Sequence, residues 1–213
     1  MRTDDLIDAL AERLEPVAPH AVLRRLALWV SGGIVLSAIL MLARLGPRHD
    51  LATAMLTPMF WIKLVYPLAL AALALWAVQR LGRPGLDARR PALIGLVILA
   101  LAVLAGAAAF ALAPEGARRH LLMGHSAMIC PWRILSLAVP LFVAAFLALR
   151  RAAPTRPALA GLAAGLMAGG LGAFVYAFSC NESAMPFVAV WYTLPVLVAG
   201  AVGAAVGRFA LRW

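Results

Sequence analysis

Charged residues are scarce in this chain of 213 residues: they make up 13% of it, while hydrophobic residues make up 64%. A soluble domain is roughly a quarter charged and about half apolar. The composition therefore excludes an ordinary soluble protein and predicts an integral membrane protein. The net charge of +10 does not indicate direct nucleic-acid binding. The basic residues lie in short segments between apolar runs, where membrane topology accounts for them.

Several motifs that would indicate an enzyme or a secreted protein are also missing. The chain has no HExxH, no Ser/His/Asp set, no pair of carboxylates inside an apolar run and no phosphate-binding loop. We therefore predict no catalytic residues and no obligatory cofactor. The first 15 residues carry five acids, whereas a secretory signal needs a basic start and an early apolar stretch. The apolar runs hold few polar residues, which argues against a transport path.

Six apolar runs are long enough to cross about 30 Å of hydrocarbon. They lie near residues 26–43, 57–79, 92–113, 133–149, 157–179 and 186–207. The predicted fold class is an all-α membrane protein, a six-transmembrane-helix bundle with a short amphipathic N-terminal helix. Residues 1–22 form the only sizeable predicted segment outside the membrane, and residues 23–213 form the predicted transmembrane domain.

The arginines predict the orientation of these spans. The two termini, together with the loop between the second and third spans and the loop between the fourth and fifth spans, carry 13 arginines. The three opposite loops carry only Arg44, Arg48, Arg118 and Arg119. Cytoplasmic loops are enriched in basic residues. Both termini are therefore predicted to be cytoplasmic, with membrane lipid as a natural partner.

Only two cysteines are present, and the topology places both on the outer side. Cys130 precedes the fourth span and Cys180 follows the fifth. The two spans form an antiparallel hairpin, so the thiols share a membrane face. Packed helices lie about 8–10 Å apart and a disulfide needs Cα atoms within about 7 Å, so a bond is feasible but not guaranteed. A redox pair, a metal-linked thiol and a buried packing residue all remain open for Cys130.

Two basic residues are predicted to support a thiolate. Pro131 suits the first helical position, so Cys130 is predicted to cap a helix whose dipole favours its thiolate, and Arg133 lies one turn further on. Cys130 is therefore expected to be the more reactive thiol. Lys63 lies inside the second span, where it is expected either to pair with Glu182 or Asp50, or to support a thiolate. Snorkelling to the headgroups is the equally weighted alternative.

The stretch HLLMGHSAMICPWR (120–133) concentrates soft ligand types. Sulfur and imidazole suit Cu(I) or another soft cation, so a transient heavy-metal ion is a candidate ligand. No CxxC or compact zinc spacing is present. Packing is the favoured interpretation for the methionines, and an interfacial position for the histidines. The candidate metal ligands are Cys130, Cys180, His125, Met128, Met123 and His120.

Small residues recur every fourth position in the fifth and sixth spans. Gly161, Gly165 and Gly169 share one face of the fifth span, and Gly203 and Gly207 do the same in the sixth. This spacing lets helices approach closely, which predicts packing rather than a ligand groove.

The N-terminal segment TDDLIDALAERLEPV (3–17) is predicted to form an amphipathic helix. Thr3 can cap it, acids occupy its first turn and Pro16 ends it. One face is apolar and the other acidic, which favours a basic protein surface as partner over an anionic membrane. Docking onto the chain's own arginine-rich loops is the alternative. The residues predicted to bind a partner are Leu6, Ile7, Leu10, Leu14, Asp4, Asp5 and Asp8.

Taken together, four segments carry a resemblance that spans nearly the whole chain. They are TDDLIDALA, FWIKLVYPLALA, CPWRI and CNESAMPFVAVWYTL. The chain resembles the NrsF-type anti-sigma-F factors, six-span regulators of extracytoplasmic-function sigma factors in proteobacteria. The resemblance implies that residues 3–15 sequester a sigma factor. It also implies that Cys130 and Cys180 are periplasmic sensing residues for heavy-metal stress, such as copper, or for oxidative stress.

Two other functions remain as alternatives. A membrane thiol-redox enzyme would use the Cys130/Cys180 pair to exchange electrons with a quinone or a partner thiol, but the chain has no CxxC and no second pair to relay electrons. A small metal transporter is disfavoured by the few polar residues in the spans. The resemblance therefore favours a regulator rather than an enzyme.

Overall fold

The computed structural model describes residues 21–83, 85–150, 152 and 154–212. Six helices in this part are long and apolar enough to cross a membrane, which confirms the six predicted spans. Within it, all regular elements are helical. The six helices are α1 (Ala21–Arg44), α2 (Pro58–Leu81), α3 (Arg89–Leu112), α4 (Cys130–Leu149), α5 (Pro157–Ala177) and α6 (Met185–Ala210).

The helix boundaries lie within a few residues of the predicted ones, with two differences near the cysteines. Helix α4 begins at Cys130 itself, and Ile129 takes the capping position that we predicted for Cys130. A separate short helix, Glu115–Met123, precedes α4 where the sequence indicated only a loop. It has only nine residues, and Arg118, Arg119 and His120 lie consecutively in its middle, so it lacks the continuous apolar run on which our span prediction depended.

The connections sort the bundle into two ends. The α1–α2, α3–α4 and α5–α6 connections lie at one end, which we call the cysteine end. The α2–α3 and α4–α5 connections lie at the other, the arginine end, together with the last turn of α6. The prediction that Cys130 and Cys180 share a side is thereby confirmed. A buried hydrogen bond from Ser37 Oγ to the Leu137 carbonyl, 2.9 Å long, ties α1 to α4 inside the bundle.

Helices α5 and α6 pack backbone against backbone, as their glycine spacing predicted. A Cβ atom on Gly161 would collide with the Gly203 carbonyl, and one on Gly203 would collide with the Gly161 carbonyl. Gly165 likewise faces the main chain of Ala199 and Gly200. Most of α5 is buried, so this pair forms the centre of the bundle. Close approach of this kind gains dispersion energy that side chains would prevent.

Helix α6 is interrupted near the cysteine end. Val188–Tyr192 form one π-helical turn between Met185–Phe187 and the regular α-helix Thr193–Ala210. Such turns insert a residue into the helix and are frequent at functional sites. The turn places Tyr192 fully inside the bundle, at 0% exposure.

Helix α3 lies at the edge of the bundle. Of its residues only Pro91, Ala102 and Gly106 are buried, and most of its large aliphatic side chains are exposed. An apolar helix surface of this size suits contact with hydrocarbon rather than water. The predicted amphipathic helix at residues 3–15, and the domain boundary near residue 22, lie outside or at the limit of the described residues and stay predictions.

We predict that Gly165→Val prevents the close contact of α5 with α6. The new side chain would meet the Ala199 carbonyl and lie 2.9 Å from the Gly200 Cα atom, and neither main chain can move aside. Overpacking of this kind costs about 1–3 kcal/mol or more. The folded fraction should fall, as measured by thermal unfolding in detergent. Gly32→Val is the matched control, because nothing lies within 4 Å of its Cβ position. Equal melting temperatures would contradict this packing.

Candidate functional site

The two cysteines lie next to each other inside the cysteine end of the bundle. Both are free thiols and both are buried, Cys130 at 0% and Cys180 at 3% exposure. The thiol of Cys130 interacts with that of Cys180. Helix α4 contributes Cys130 in its first turn, and Cys180 follows the end of α5 in the connection to α6. The sequence could predict a shared side, whereas the contact itself depends on the packing of α4 against α5.

A buried lysine holds the main chain around Cys180. Lys63 is 1% exposed, and its Nζ atom donates to the Cys180 carbonyl at 2.6 Å and to the Glu182 carbonyl at 2.7 Å. The ammonium also lies 5.5 Å from the centre of the Tyr192 ring. Lys63 therefore does not snorkel to the headgroups. It contacts Glu182 through the main chain rather than through the carboxylate.

An arginine from the α1–α2 connection completes this support. Arg48 is 8% exposed and donates from Nη1 to the Cys180 carbonyl at 3.3 Å. Two further hydrogen bonds of 2.7 Å join its guanidinium to the carboxylate of Asp50. This pairing raises the pKa of Arg48 and lowers the pKa of Asp50. Asp50, expected as a partner of Lys63, is thus the partner of Arg48.

Glu182 joins the connection that carries Cys180 to the segment before α4. Its Oε1 atom accepts a hydrogen bond of 2.7 Å from the His125 main-chain N–H and one of 3.2 Å from Ser126 Oγ. The main chain turns at Gly124, the residue before His125, with φ +49°. Glycine is needed there, because the Cβ atom of any other residue would overlap the Glu182 carboxylate. The carboxylate therefore holds the segments bearing the two cysteines together.

Two tyrosines line the inner side of the thiols. The Tyr192 hydroxyl lies beside the Cys180 sulfur, and it has no hydrogen-bond partner among the described residues. Tyr176 interacts with Cys130 and with Arg133. Arg133, predicted to support a thiolate, thus reaches Tyr176 from α4, while Lys63 is the cation that acts on both cysteines. Tyr66 also reaches this region and bonds Thr193 at 2.7 Å.

The charges around the two cysteines favour a different thiolate from the one that we expected from the sequence. Hydrogen bonding with Cys130 and the charge of Lys63 lower the pKa of Cys180, against the opposing effect of burial. The expectation was that Cys130 would be the more reactive thiol, from its place at a helix start near Arg133. In the structure the nearby positive charge is supplied by Lys63, which is anchored on the Cys180 side. The arrangement therefore favours Cys180 as the thiolate of the pair.

The histidines and methionines form a separate surface feature. His120 and His125 face each other with their Nε2 atoms 3.3 Å apart, and both rings are exposed. Met128 is 72% exposed and Met123 36%. Among the described residues, no three His, Cys, Asp or Glu side chains converge as a metal site. The buried thiols and the exposed histidines are thus two pairs of candidate ligands, and metal binding stays a prediction for both.

The thiol cluster is suited to two kinds of chemistry. Two adjacent thiols can lose two electrons and two protons to an oxidant and form a disulfide. As thiolates they can also bind a soft cation such as Cu(I), with the release of protons. A cation beside the pair favours both reactions, because each proceeds through a thiolate.

Several groups in the site were not predicted from the sequence, and Arg48 and Tyr192 are the clearest examples. Arg48 was counted only as a topology residue, because its partners are a main-chain carbonyl and a nearby acid that no pattern identifies. Tyr192 lies in the quoted segment CNESAMPFVAVWYTL, but its approach to Cys180 depends on the π-helical turn. A buried tyrosine beside a cysteine has no spacing signature.

Comparison with known proteins adds the family. Residues 10–213 match the family described as Negative regulator of sigma F, NrsF. This chain belongs to the NrsF family. The resemblance drawn from the four sequence segments is thereby confirmed. No solved structure matches the chain.

Two curated relatives of the NrsF family match over their whole length. The chain is 43% identical over 216 residues to the probable anti-sigma-F factor NrsF of Azospira oryzae, with 100% of both chains covered. It is 44% identical over 218 residues to the anti-sigma-F factor NrsF of Caulobacter vibrioides, again with 100% of both covered. Both names describe regulators rather than enzymes.

We predict that Lys63→Met slows the reaction of Cys180 with a small thiol reagent and moves its pH profile upward. Loss of the ammonium removes a charge that stabilises the thiolate, which should raise the pKa of Cys180 by about one unit or more. The measurement is the rate of labelling by methyl methanethiosulfonate between pH 5 and about pH 9, the range in which perturbed thiols titrate, read on the Cys180 peptide by mass spectrometry.

Arg133→Met serves as the matched control for Lys63→Met. It removes one positive charge from the same end of the bundle, at a side chain that contacts Tyr176. Its labelling profile should stay close to that of the unchanged protein. An equal upward shift in both variants would contradict the assignment of Lys63 as the main support of the thiolate.

Proposed function

We propose that this NrsF-family chain is a membrane-bound anti-sigma factor that sequesters an extracytoplasmic-function sigma factor and releases it on heavy-metal or oxidative stress. The family and the names of both curated relatives support an anti-sigma role. The buried contact of Cys130 with Cys180 beside Lys63 is the observation that supports sensing. No other cysteines exist in the chain.

The sensing step changes the state of the thiol pair. Oxidation would join the two sulfur atoms, with two electrons passing to the oxidant and the one proton of the thiol–thiolate pair released. A soft cation would instead bind between the two thiolates. In either case the negative charge that Lys63 faces is lost or shared, while its main-chain hydrogen bonds to Cys180 and Glu182 remain.

The connection from the thiols to the other end of the bundle runs through α5 and α6. Cys180 lies three residues beyond the end of α5, whose glycine face is in main-chain contact with α6 from Gly161 to Gly169. A shift of the Cys180 segment would thus move two helices as one body. A signal can change the balance of bound and released sigma factor only by its different affinity for the two states.

The orientation and the partner surface follow from the sequence. The arginine bias supports a placement of both termini in the cytoplasm and of the cysteine end in the periplasm, across a bacterial inner membrane. The apolar face of residues 3–15, formed by Leu6, Ile7, Leu10 and Leu14, would bind the sigma factor with Asp4, Asp5 and Asp8 beside it. These residues precede the described part of the chain.

A membrane thiol-redox enzyme is the second candidate function, and its only support is that a cysteine pair can exchange electrons. The cluster contains a single cysteine pair, and the described structure offers no second pair to pass electrons across the membrane. No observation on the molecule favours turnover over sensing.

We predict that the double variant Cys130→Ser, Cys180→Ser retains the sigma factor but no longer releases it. Serine preserves the size of the side chain, yet forms neither a disulfide nor a bond to a soft cation. Transcription of sigma-dependent genes should stay at its basal level after exposure to copper, cadmium or hypochlorite, as measured with a reporter. Normal induction by every one of these stresses would rule out the thiol pair as the sensor.

We predict that Leu10→Asp abolishes co-purification of the sigma factor, because it places a charge in the centre of the apolar face. The variant should also give constitutive transcription of the sigma-dependent genes. Ala18→Asp is the matched control, since it adds the same charge beyond Pro16, after the predicted helix has ended. Undiminished binding by Leu10→Asp, or an equal loss with Ala18→Asp, would argue against this surface.

A further inference from the structure

A groove opens on the membrane-facing side of the bundle, between α2, α3, α5 and α6. Its volume is about 420 Å³, and its walls are almost wholly aliphatic. This lies within the range of about 300–1,000 Å³ typical of small-ligand pockets. Among the side chains that line it are Leu70, Leu73, Leu96, Leu99, Leu162 and Leu166.

The groove exists because α3 approaches α6 closely only at the cysteine end, while its other close neighbour along the bundle is α2. There, a Cβ on Gly106 would lie 2.6 Å from the Ala189 side chain and 3.6 Å from Pro186 Cα. Towards the arginine end, the Cβ position of Gly95 meets only Leu73, at 3.9 Å. The helices therefore diverge, and no side chain of the described residues fills the space between them.

The depth of the groove matches one leaflet of a bilayer. On α5 its wall runs from Leu159 to Leu166, and Arg156 lines its mouth. At 1.5 Å per residue, the distance from Arg156 to Leu166 is about 15 Å, or half of the roughly 30 Å hydrocarbon core. An occupant with an apolar chain of this length and a polar end at the arginines would fit the groove.

The mouth of the groove carries positive charge. Arg89 and Arg156 both line it and both are exposed. Neither guanidinium has a hydrogen bond or ion pair to the rest of the chain that the structure describes. Asp87, the one acid at the mouth, is engaged by Arg80 through its carboxylate and its carbonyl. The unused charge is thus basic, and guanidinium groups bind phosphate in a bidentate way.

We propose that this groove binds one acyl chain of an anionic phospholipid from the leaflet at the arginine end, whose headgroup phosphate contacts Arg89 and Arg156. Basic pockets between transmembrane helices are typical sites for such headgroups. The bound chain would fill the space between α3 and the α5–α6 pair. Neither cysteine lines the groove, and the proposal does not depend on the proposed sensing function.

The test is native mass spectrometry of the full chain with phosphatidylglycerol or phosphatidylcholine that carry the same acyl chains. The unchanged protein should retain phosphatidylglycerol preferentially, by about fivefold for each contributing arginine. Arg89→Gln with Arg156→Gln should abolish the preference. Arg90→Gln with Arg208→Gln removes the same charge from exposed positions that do not line the groove, and should preserve the preference.

The acyl-chain part of the site is tested by filling the groove. Gly95→Leu should reduce retention of both lipids, whereas Gly32→Leu, on an open face of α1, should not. Equal retention of the two lipids by the unchanged protein would overturn the headgroup assignment. Full retention by Gly95→Leu would overturn the placement in the groove.

A second measurement does not depend on the stability of Gly95→Leu. The photoreactive amino acid p-benzoylphenylalanine, placed at Leu96 in the groove, should crosslink to phosphatidylglycerol in preference to phosphatidylcholine. At Leu36, an exposed residue of α1, the two lipids should crosslink equally. Crosslinks from position 96 to residues 1–20 of the chain, instead of to lipid, would overturn the proposal in favour of a protein occupant.

Discussion

A lysine ammonium buried in the bundle sets the arrangement of the cysteine end. A charge removed from water is costly unless it is closely matched by acceptors. Lys63 has two such acceptors in the carbonyls of Cys180 and Glu182, and it adds the face of the Tyr192 ring. The α5–α6 connection is therefore held at a fixed depth by α2. The position of Cys180 relative to Cys130 follows from this main-chain anchor rather than from contacts of the sulfur atoms themselves.

The bundle combines one tightly packed part with one loosely packed part. Helices α5 and α6 meet through their main chains at the glycines, so their separation is fixed by backbone atoms. Helix α3 lies against this pair at the cysteine end only, near Gly106, and it diverges towards the arginine end. Movement of α3 relative to α5 and α6 would therefore meet little resistance at one end and strong resistance at the other. In the proposed sensor, such asymmetry would let a small displacement near the thiols have a larger counterpart at the arginine end.

The sequence predicted the six spans and the shared side of the cysteines because these depend on apolar length and on alternation of direction. It also predicted the α5–α6 contact, since glycines four apart specify a helix face. It did not predict the partners of Lys63, because main-chain carbonyls leave no mark in a sequence. The pairing of Arg48 with Asp50, the approach of Tyr192 and the groove beside α3 depend on how connections and helices are placed in space. For the same reason the expectation for the reactivity of Cys130 was drawn from its helix position alone, without the lysine that α2 brings beside Cys180.

The main-chain contact of α5 with α6 also has a consequence for how proteins of this family can diverge. Where carbonyl oxygens occupy the space that a Cβ atom would need, there is no side-chain volume that substitution can adjust. We therefore expect natural variation in sensitivity or kinetics to be confined to the connections around the thiols and to the outer helices. The glycine-lined contact of α5 with α6 would then vary least, even though in the proposed function it contacts neither the inducing metal or oxidant nor the sigma factor.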